Sequence, residues 1–330
     1  MEFIRIPGTG IRVSRIGLGT WAIGGWMWGG TDEQASIKTI LAALESGINL
    51  IDTAPIYGFG RSEEIVGKAI AQHGKRDSVV IATKAGLEWM ETRVWRNSGR
   101  QRLLKEIDDS LKRLGTDYID IYQIHWPDQS VAFEETAQTL LDLKQRGTIK
   151  AIGVSNYSPE QMAAFGKTAL INTAQPPYNI FERGIEKDIL PYCKNSNISV
   201  LAYGALCRGL LSGRMKPDTS FTGDDLRKTD PKFRQPRYGQ YLNAVEALDR
   251  FAQKNYGKRV IHLAVRWILD QGADIALWGA RRPGQIDAVR EVEGWSLNEN
   301  AKREIDRILT DAIKEPVGPE FMAPPARARA

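Results

Sequence analysis

Eight short β-rich runs alternate with amphipathic helical segments along most of this chain, and this alternation restricts the possible folds more than any other feature. Because the runs are largely apolar, they are typical of strands buried on both faces of a parallel sheet. Eight strand–helix units in 330 residues predict an α/β fold, a (β/α)8 TIM barrel, with an open doubly wound sheet as the alternative. The runs are RIGLGT (15–20), NLIDTA (49–54), SVVIATK (78–84), YIDIYQIH (118–125), IKAIGVSN (149–156), TAQPPYN (173–179), SVLAYGAL (199–206) and IALWGAR (275–281).

Helix start signals occupy the intervals between these runs. Asp32 precedes a segment with apolar residues at helical spacing, and Ser158 is placed to cap a helix that has Pro159 at its first position. Ser62 precedes a further apolar pattern that begins at Ile65. These signals predict that a helix follows each strand, as a barrel requires.

We interpret residues 1–330 as one barrel domain with three additions. Residues 1–14 are predicted to form two short strands around a Gly-Thr-Gly turn, a hairpin that would plug one end of the barrel. Residues 212–238 form a long polar insertion after the seventh strand, and such loops are usually functional lids or mobile segments. A C-terminal helix begins near Asn298, and the tail at 313–330 is too rich in proline for regular structure.

Charge and histidine content exclude several classes of partner. The chain has 45 basic and 40 acidic residues, a net charge of +5, and no long block of lysine and arginine. We therefore expect no nucleic acid partner. Because one or two arginines suffice to hold a phosphate, the excess suits an anionic small ligand. The chain has only three histidines, and we expect no metal site.

The cysteines and the N-terminus indicate the compartment. Cys193 and Cys207 are too few and too far apart for a disulfide framework, which fits a reducing environment. Neither a secretory signal pattern nor a sufficiently long apolar window occurs, so we expect a cytoplasmic protein that does not enter membranes. The oligomeric state is left open, with a monomer slightly favoured.

Polar residues that terminate the strands are the candidates for catalysis, because the active face of a barrel lies at the C-terminal ends of its strands. Asp52 and Tyr57 follow the second run, Lys84 ends the third and His125 ends the fourth. A neighbouring ammonium lowers the pKa of a tyrosine, and a carboxylate behind it keeps the ammonium charged, which predicts a proton donor. His125 would hydrogen-bond a substrate carbonyl. Reduction of that carbonyl also needs a hydride, which no side chain supplies, so a cofactor is implied. Each of the four residues, taken singly, also has an ordinary structural explanation.

The segment GARRPGQ (279–285) ends a strand and opens a helix. A helix N-terminus beside the guanidinium groups of Arg281 and Arg282 predicts a cradle for a nucleotide phosphate. The glycine fingerprint of Rossmann dinucleotide-binding folds, GxGxxG, does not occur in the chain. His262 lies on an apolar helical face, and we interpret it as structural.

Eight ordered strings of residues match one known family. They are GLGTWAIGG, INLIDTAPIYGFGRSEEIVGKAI, VVIATK, SLKRLGTDYIDIYQIHWPD, IKAIGVSNYS, TAQPPYN, YGALCRGLLSGR and GARRPGQ. From about residue 3 to about residue 293 the chain resembles the aldo-keto reductase superfamily, and most of all its bacterial general-stress-type NADPH-dependent members.

The resemblance implies an NADP-dependent oxidoreductase that reduces small aldehydes or ketones to alcohols, reversibly. The family's catalytic tetrad falls on Asp52, Tyr57, Lys84 and His125. Hydride would pass from C4 of the nicotinamide of NADPH, with NADH less favoured, and the proton would come from Tyr57. Trp21 and Trp126 are candidates to line the substrate pocket.

The same resemblance implies a set of cofactor contacts. Tyr203 would stack on the nicotinamide, and Arg281 would bind the 2′-phosphate of NADPH. The family often has Asn eight residues after this arginine, where the chain has Val289, so the adenine contact is expected to differ. The implied cofactor-binding positions are Thr20, Trp21, Asp52, Ser155, Asn156, Gln175, Tyr203, Gly204, Leu206, Arg208, Gly209, Gly279, Arg281 and Gln285.

Two other functions remain open on the sequence. One is an NADP-binding regulatory subunit with little turnover, which the insertion at 212–238 would suit. The other is a lyase that uses Lys84 as a Schiff base, which requires an amine free of Asp52.

Overall fold

Eight parallel strands close into a barrel at the centre of the molecule. The computed structural model describes residues 1–326. Within this part, strands β3, β4, β5 and β8 to β12 follow one another around the barrel in chain order, and β12 pairs with β3. This closure confirms the (β/α)8 TIM barrel over the open sheet. The strands are β1 (Phe3–Arg5), β2 (Arg12–Ser14), β3 (Ile16–Gly19), β4 (Leu50–Asp52), β5 (Val80–Ala85), β6 (Leu87–Met90), β7 (Arg93–Arg96), β8 (Ile119–Ile124), β9 (Ile149–Ser155), β10 (Thr173–Gln175), β11 (Ser199–Ala202) and β12 (Ile275–Gly279).

Helices connect the barrel strands, as the alternation predicts. The large hydrophobic core joins residues of the barrel strands to apolar residues of these helices. The α-helices are α1 (Glu33–Glu45), α2 (Arg61–His73), α3 (Arg100–Leu114), α4 (Phe133–Gln145), α5 (Pro159–Gly166), α6 (Ile189–Asn195), α7 (Arg237–Tyr256), α8 (Val260–Asp270) and α9 (Glu299–Ala312).

Two of the three predicted helix starts are capped as expected. The Asp32 carboxylate accepts a hydrogen bond of 3.0 Å from a backbone N–H of α1, and Ser158 forms a capping box at the start of α5. Ser62 is not a cap, because α2 already begins at Arg61. The Ser62 hydroxyl is buried and donates to Oγ1 of Thr20 at 2.8 Å, which joins α2 to the end of β3.

The N-terminal hairpin, β1 and β2, closes the lower end of the barrel. The two strands pair antiparallel, and Val13 in β2 and Ile6 directly after β1 are fully buried. They share a core cluster with Leu50 and Val80, which begin β4 and β5. Because these are the N-terminal ends of the barrel strands, the hairpin leaves the C-terminal ends free for a site.

The insertion and the tail contain more local structure than their composition indicates. Short 3-10 helices form at Leu226–Lys228 and Pro231–Phe233, and α7 begins inside the predicted insertion. After α9 the chain is irregular, as the prolines predict, apart from a 3-10 turn at Glu320–Met322. Residues 327–330 of the predicted tail lie outside the described residues.

A second hairpin, β6 and β7, was not predicted from the sequence. It follows β5 at the upper rim and pairs antiparallel. The tail reaches it, because the Arg96 side chain donates to the carbonyl of Pro324 at 3.0 Å. In residues 1–326 no helix is both long and apolar enough to span a membrane.

Candidate active site

The four predicted catalytic side chains lie together at the C-terminal rim of the barrel. Asp52 ends β4, Lys84 lies near the end of β5 and His125 directly follows β8, and these three strands are neighbours. Nζ of Lys84 donates to Oδ1 of Asp52 at 2.7 Å and lies 5.1 Å from the centre of the Tyr57 ring. The ring centres of Tyr57 and His125 are 5.8 Å apart. The four residues therefore form one constellation.

Lys84 and Asp52 form a buried ion pair. Nζ of Lys84 also donates to the carbonyl of Thr53 at 2.9 Å, and the Lys84 residue is 0% exposed. Burial lowers the pKa of Lys84, while the attraction of Asp52 opposes that change. Because the amine is paired with Asp52, it does not meet the requirement of the Schiff-base alternative.

Two glutamines complete the surroundings of the Asp52 carboxylate. Oδ2 accepts hydrogen bonds from Nε2 of Gln175 at 2.8 Å and, more weakly, from Nε2 of Gln123 at 3.4 Å. The resemblance implies that Gln175 contacts the cofactor, and in the structure its amide orients Asp52. Sequence reasoning missed Gln123, although a polar residue inside the apolar run of β8 is a usable signal.

Burial decides the protonation of the two groups suited to contact a carbonyl. It raises the pKa of Tyr57 well above the ordinary tyrosine range, and the Asp52 charge adds to this rise. It lowers the pKa of His125 well below 6.5, and the Lys84 charge adds to this fall. The sequence argument considered only the ammonium of Lys84, whereas burial and the Asp52 charge place the pKa of Tyr57 above its ordinary value in the resting site. At neutral pH both Tyr57 and uncharged His125 are hydrogen-bond donors.

A second polar network lies beside the tetrad. Asn156 has a left-handed backbone (φ 62°), and its amide donates to the carbonyl of His125 at 3.0 Å. The Tyr203 hydroxyl donates to Oδ1 of Asn156 at 3.0 Å, and the Ser155 hydroxyl donates to the carbonyl of Gln175 at 2.7 Å. The structure thus brings four implied cofactor positions into one network that also holds His125.

A cavity of about 860 Å³ opens beside Tyr57. It extends from the tetrad to the segment that follows β12, and most of the implied cofactor positions line it. Thr20, Ser155, Asn156 and Gln175 do not, since they lie in the polar networks at the rim. The implied positions in the lining are Trp21, Asp52, Tyr203, Gly204, Leu206, Arg208, Gly209, Gly279, Arg281 and Gln285.

The cavity lining is rich in arginine. It contains six arginines and three aspartates, and two of the arginines, Arg214 and Arg227, come from the insertion. Sequence reasoning missed both, because nothing local indicates that the insertion returns to the rim. The arginines are Arg208, Arg214, Arg227, Arg259, Arg281 and Arg282.

Arg281 is held at the edge of this cavity. Its guanidinium donates to the carbonyl of Trp28 at 2.9 Å and to that of Gly30, both in the loop after β3. Burial lowers the pKa of Arg281, and the charges of Arg227 and Arg282 act in the same direction. Asp225 acts in the opposite direction. An anion beside Arg281 would offset the remaining repulsion.

Gln285 lines the end of the cavity, whereas Val289 does not. Oε1 of Gln285 accepts the backbone N–H groups of Arg281 and Arg282 at 2.7 and 3.0 Å, so the glutamine fixes the turn. Val289 is fully buried in the core.

His262 is also mostly buried, and its Nδ1 accepts the backbone N–H of Arg259 at 3.1 Å, which agrees with a structural role.

The residues present fit a nicotinamide dinucleotide. Arg281 and Arg282 supply charge for its phosphates, and Trp21 and Tyr203 supply aromatic surface near Tyr57. A Cβ atom at Gly279 would meet nothing within 4 Å, so the wall is open there. Within residues 1–326, no group of three or more His, Cys, Asp or Glu side chains is arranged to hold a metal ion.

The two predicted pocket tryptophans occupy different places. Trp21 lines the cavity and stacks on Tyr57, with ring centres 6.0 Å apart and planes 25° apart. Trp126 does not line this cavity. It packs in an aromatic cluster with Tyr57 and Trp89, beneath the guanidinium of Arg96 at 5.3 Å.

A parallel barrel has a buried Asp–Lys pair at its upper rim, with a partly exposed tyrosine and histidine beside the pair and a cationic cavity next to them. This arrangement defines a barrel oxidoreductase. Residues 15–310 match the model of the aldo/keto reductase family, and the chain belongs to this family. The resemblance found in the sequence is thereby confirmed.

Similar proteins support this assignment along the whole chain. Aldo-keto reductase YhdN of Bacillus subtilis (strain 168) is 60% identical over 328 residues, 99% of each chain. The NADH-specific methylglyoxal reductase of Escherichia coli (strain K12) is 36% identical over 307 residues, 87% of this chain and 91% of the relative. The structure of glycerol dehydrogenase AKR11B4 from Gluconobacter oxydans matches with a TM-score of 0.88 and 54% identity, covering 97% of this chain and 99% of the other. The family uses a nicotinamide cofactor.

Proposed function

We propose that the protein is an NADPH-dependent reductase of small aldehydes or ketones, in which Tyr57 supplies the proton. One observation carries the proposal: a partly buried, protonated tyrosine lies between a lysine and an uncharged histidine and lines an arginine-rich cavity. Bound NADPH would supply the hydride to the carbonyl carbon.

The side chains of the site divide the remaining work. His125 donates a hydrogen bond to the carbonyl oxygen and fixes its angle, because its lowered pKa keeps the ring uncharged at neutral pH. Tyr57 donates its proton to the same oxygen as negative charge develops there. The Lys84 ammonium, 5.1 Å from the Tyr57 ring, then stabilises the phenolate that remains. Asp52, held by Gln175, keeps the ammonium charged and in place.

The arginine cluster supports NADPH as the preferred form of the cofactor. Arg227 and Arg282 both repel the charge of Arg281, and Asp225, which pairs with Arg227, offsets only part of this repulsion. A 2′-phosphate would relieve the repulsion where NADH offers no charge. Family membership alone does not set this preference, because one relative is an NADH-specific reductase. We further propose that the chain acts as one domain in the cytoplasm, where its buried free thiols, Cys193 and Cys207, stay reduced.

Oxidation of NADPH by wild type and by Tyr57→Phe, over a panel of aldehydes and ketones, tests the proposal. The phenylalanine variant keeps the ring and its packing against Trp21 but has no proton to give. We expect kcat to fall by about 100-fold or more, with little change in the Kd for NADPH. Tyr118→Phe, far from the rim, is the matched control and should keep full activity. Equal rates for wild type and Tyr57→Phe would contradict the assignment.

A further inference from the structure

Four buried charged side chains form a cluster beside the cavity and outside the catalytic set. Glu182 follows β10, Arg208 follows β11, and Asp230 and Lys232 belong to the insertion. None of these side chains is more than 3% exposed. We name this set the buried charge cluster. The family resemblance points to Arg208 alone among them.

Within the cluster every charge has a partner. The Arg208 guanidinium donates to both carboxylate oxygens of Glu182, and its Nε lies 2.6 Å from Oδ2 of Asp230, without the alignment of a hydrogen bond. Nζ of Lys232 lies 2.8 Å from Oε1 of Glu182 and donates to the carbonyl of Gly318 in the tail at 3.0 Å. Two cations and two anions balance, so the cluster offers no net charge to an anion in the cavity.

The turn that carries Arg208 has an unusual backbone. The φ angles of Cys207, Arg208 and Gly209 are 45°, 55° and 89°. Left-handed backbone is strained in residues other than glycine and persists only where the surroundings hold it. Leu206 and Gly209 of this turn line the cavity, and Gly209 presents main chain there. The shape of the cavity wall therefore depends on what holds Arg208 inward.

We propose that Arg208 is a positioning residue: Glu182 and Asp230 hold its guanidinium inward and thereby fix the left-handed turn that receives the cofactor phosphates. The inference rests on the proposed function and deepens it, since it assigns this position a role through the backbone instead of an ionic contact with phosphate. Lys232 extends the same anchor to the tail through Gly318.

The two roles predict opposite effects when a carboxylate of the cluster is neutralised. Glu182→Gln removes a negative charge near an anionic ligand and frees Arg208. If Arg208 binds phosphate directly, cofactor affinity should stay the same or increase. If Arg208 acts by positioning, affinity should decrease, because the turn loses its support.

The experiment is a titration of the full chain with NADPH at low and at high KCl. Binding is measured by the quenching of tryptophan fluorescence. For Glu182→Gln and for Arg208→Gln we expect the Kd for NADPH to rise by about 10- to 100-fold. The double variant should bind NADPH no more weakly than the weaker-binding of the two single variants. The slope of Kd against salt should be unchanged in Arg208→Gln but reduced in Arg281→Gln, because only a direct ionic contact is screened by salt. Glu246→Gln, at an exposed carboxylate on α7, is the charge-matched control and should bind like wild type.

Each outcome decides the matter. Arg208→Lys keeps the charge but lacks the fork that reaches two carboxylates, so it should bind as weakly as Arg208→Gln, and it replaces Glu182→Gln if that variant does not fold. Tighter or unchanged binding by Glu182→Gln, or a reduced salt slope in Arg208→Gln, would overturn the positioning role alone. Failure of the wild type to bind NADPH or NADH would overturn the proposed function, and this inference with it.

Discussion

Replacement of Lys84 by methionine tests the catalytic arrangement most directly, because it removes the charge and keeps most of the side-chain volume. In the structure Nζ of Lys84 lies 5.1 Å from the centre of the Tyr57 ring. If the ring centre is taken as the centre of the phenolate charge, the two charges attract by about 3 kcal/mol at an effective dielectric constant of about 20. Loss of this attraction should lower kcat by about 200-fold.

The assay is single-turnover NADPH oxidation at saturating cofactor and aldehyde, with the Kd for NADPH measured in parallel. Lys84→Met also leaves Asp52 as an unpaired buried carboxylate, which destabilises the fold by about 3–5 kcal/mol. The double variant Lys84→Met with Asp52→Asn removes that charge. We expect it to recover most of the stability and none of the rate.

Lys68→Met serves as the control, since Lys68 is half exposed and pairs with Glu33 on the surface. Its rate should match that of the wild type. The reasoning fails if a folded Lys84→Met, or the double variant, keeps more than about a tenth of the wild-type kcat. In that case the ammonium does not stabilise charge on Tyr57.

Three further outcomes are expected. Arg281→Gln should raise the Kd for NADPH by about tenfold or more and leave that for NADH unchanged, as measured by fluorescence titration. Because the pKa of His125 is lowered on folding, the unfolded chain binds an extra proton in acid, so stability is lost as pH falls below about 6.5. His125→Gln should remove about 1.4 kcal/mol of the loss between pH 7.5 and 5.5, measured by urea unfolding. A Cβ at Gly24 would lie 2.5 Å from the backbone of Tyr57, so Gly24→Ala should lower kcat by about 10- to 100-fold, whereas Gly10→Ala, in open space, should not.

The barrel and the polar residues that meet at its rim were predictable because their signals are local. The run at 118–125 contains the strand Ile119–Ile124, and its polar last residue, His125, follows the strand as expected. Parallel strands of a closed barrel bring such terminal residues to one rim, so the meeting of Asp52, Lys84 and His125 follows from the alternation itself.

Contacts between distant segments were not predictable. Gln123 binds Asp52 across 71 positions, and the insertion returns Arg227 to the cavity although its composition indicates only a polar loop. Ser62 is a residue type that often caps helices, but its hydroxyl donates to Thr20 instead. In each case the partner is chosen by tertiary packing.

The sequence by itself determined the (β/α)8 alternation and the polar residues that end its strands, because hydrophobic periodicity and strand-end polarity are properties of short segments. Its ordered strings of residues, by their resemblance, indicated the family. Only the tertiary structure decided the charges of those polar residues. Burial keeps the proton on Tyr57, leaves His125 uncharged and pairs Lys84 with Asp52. The degree of burial cannot be inferred from a short segment of sequence. Burial also pairs the Arg208 guanidinium with Glu182 and Asp230 in a balanced cluster at the cavity wall, since a charge withdrawn from water is stable only beside its opposite.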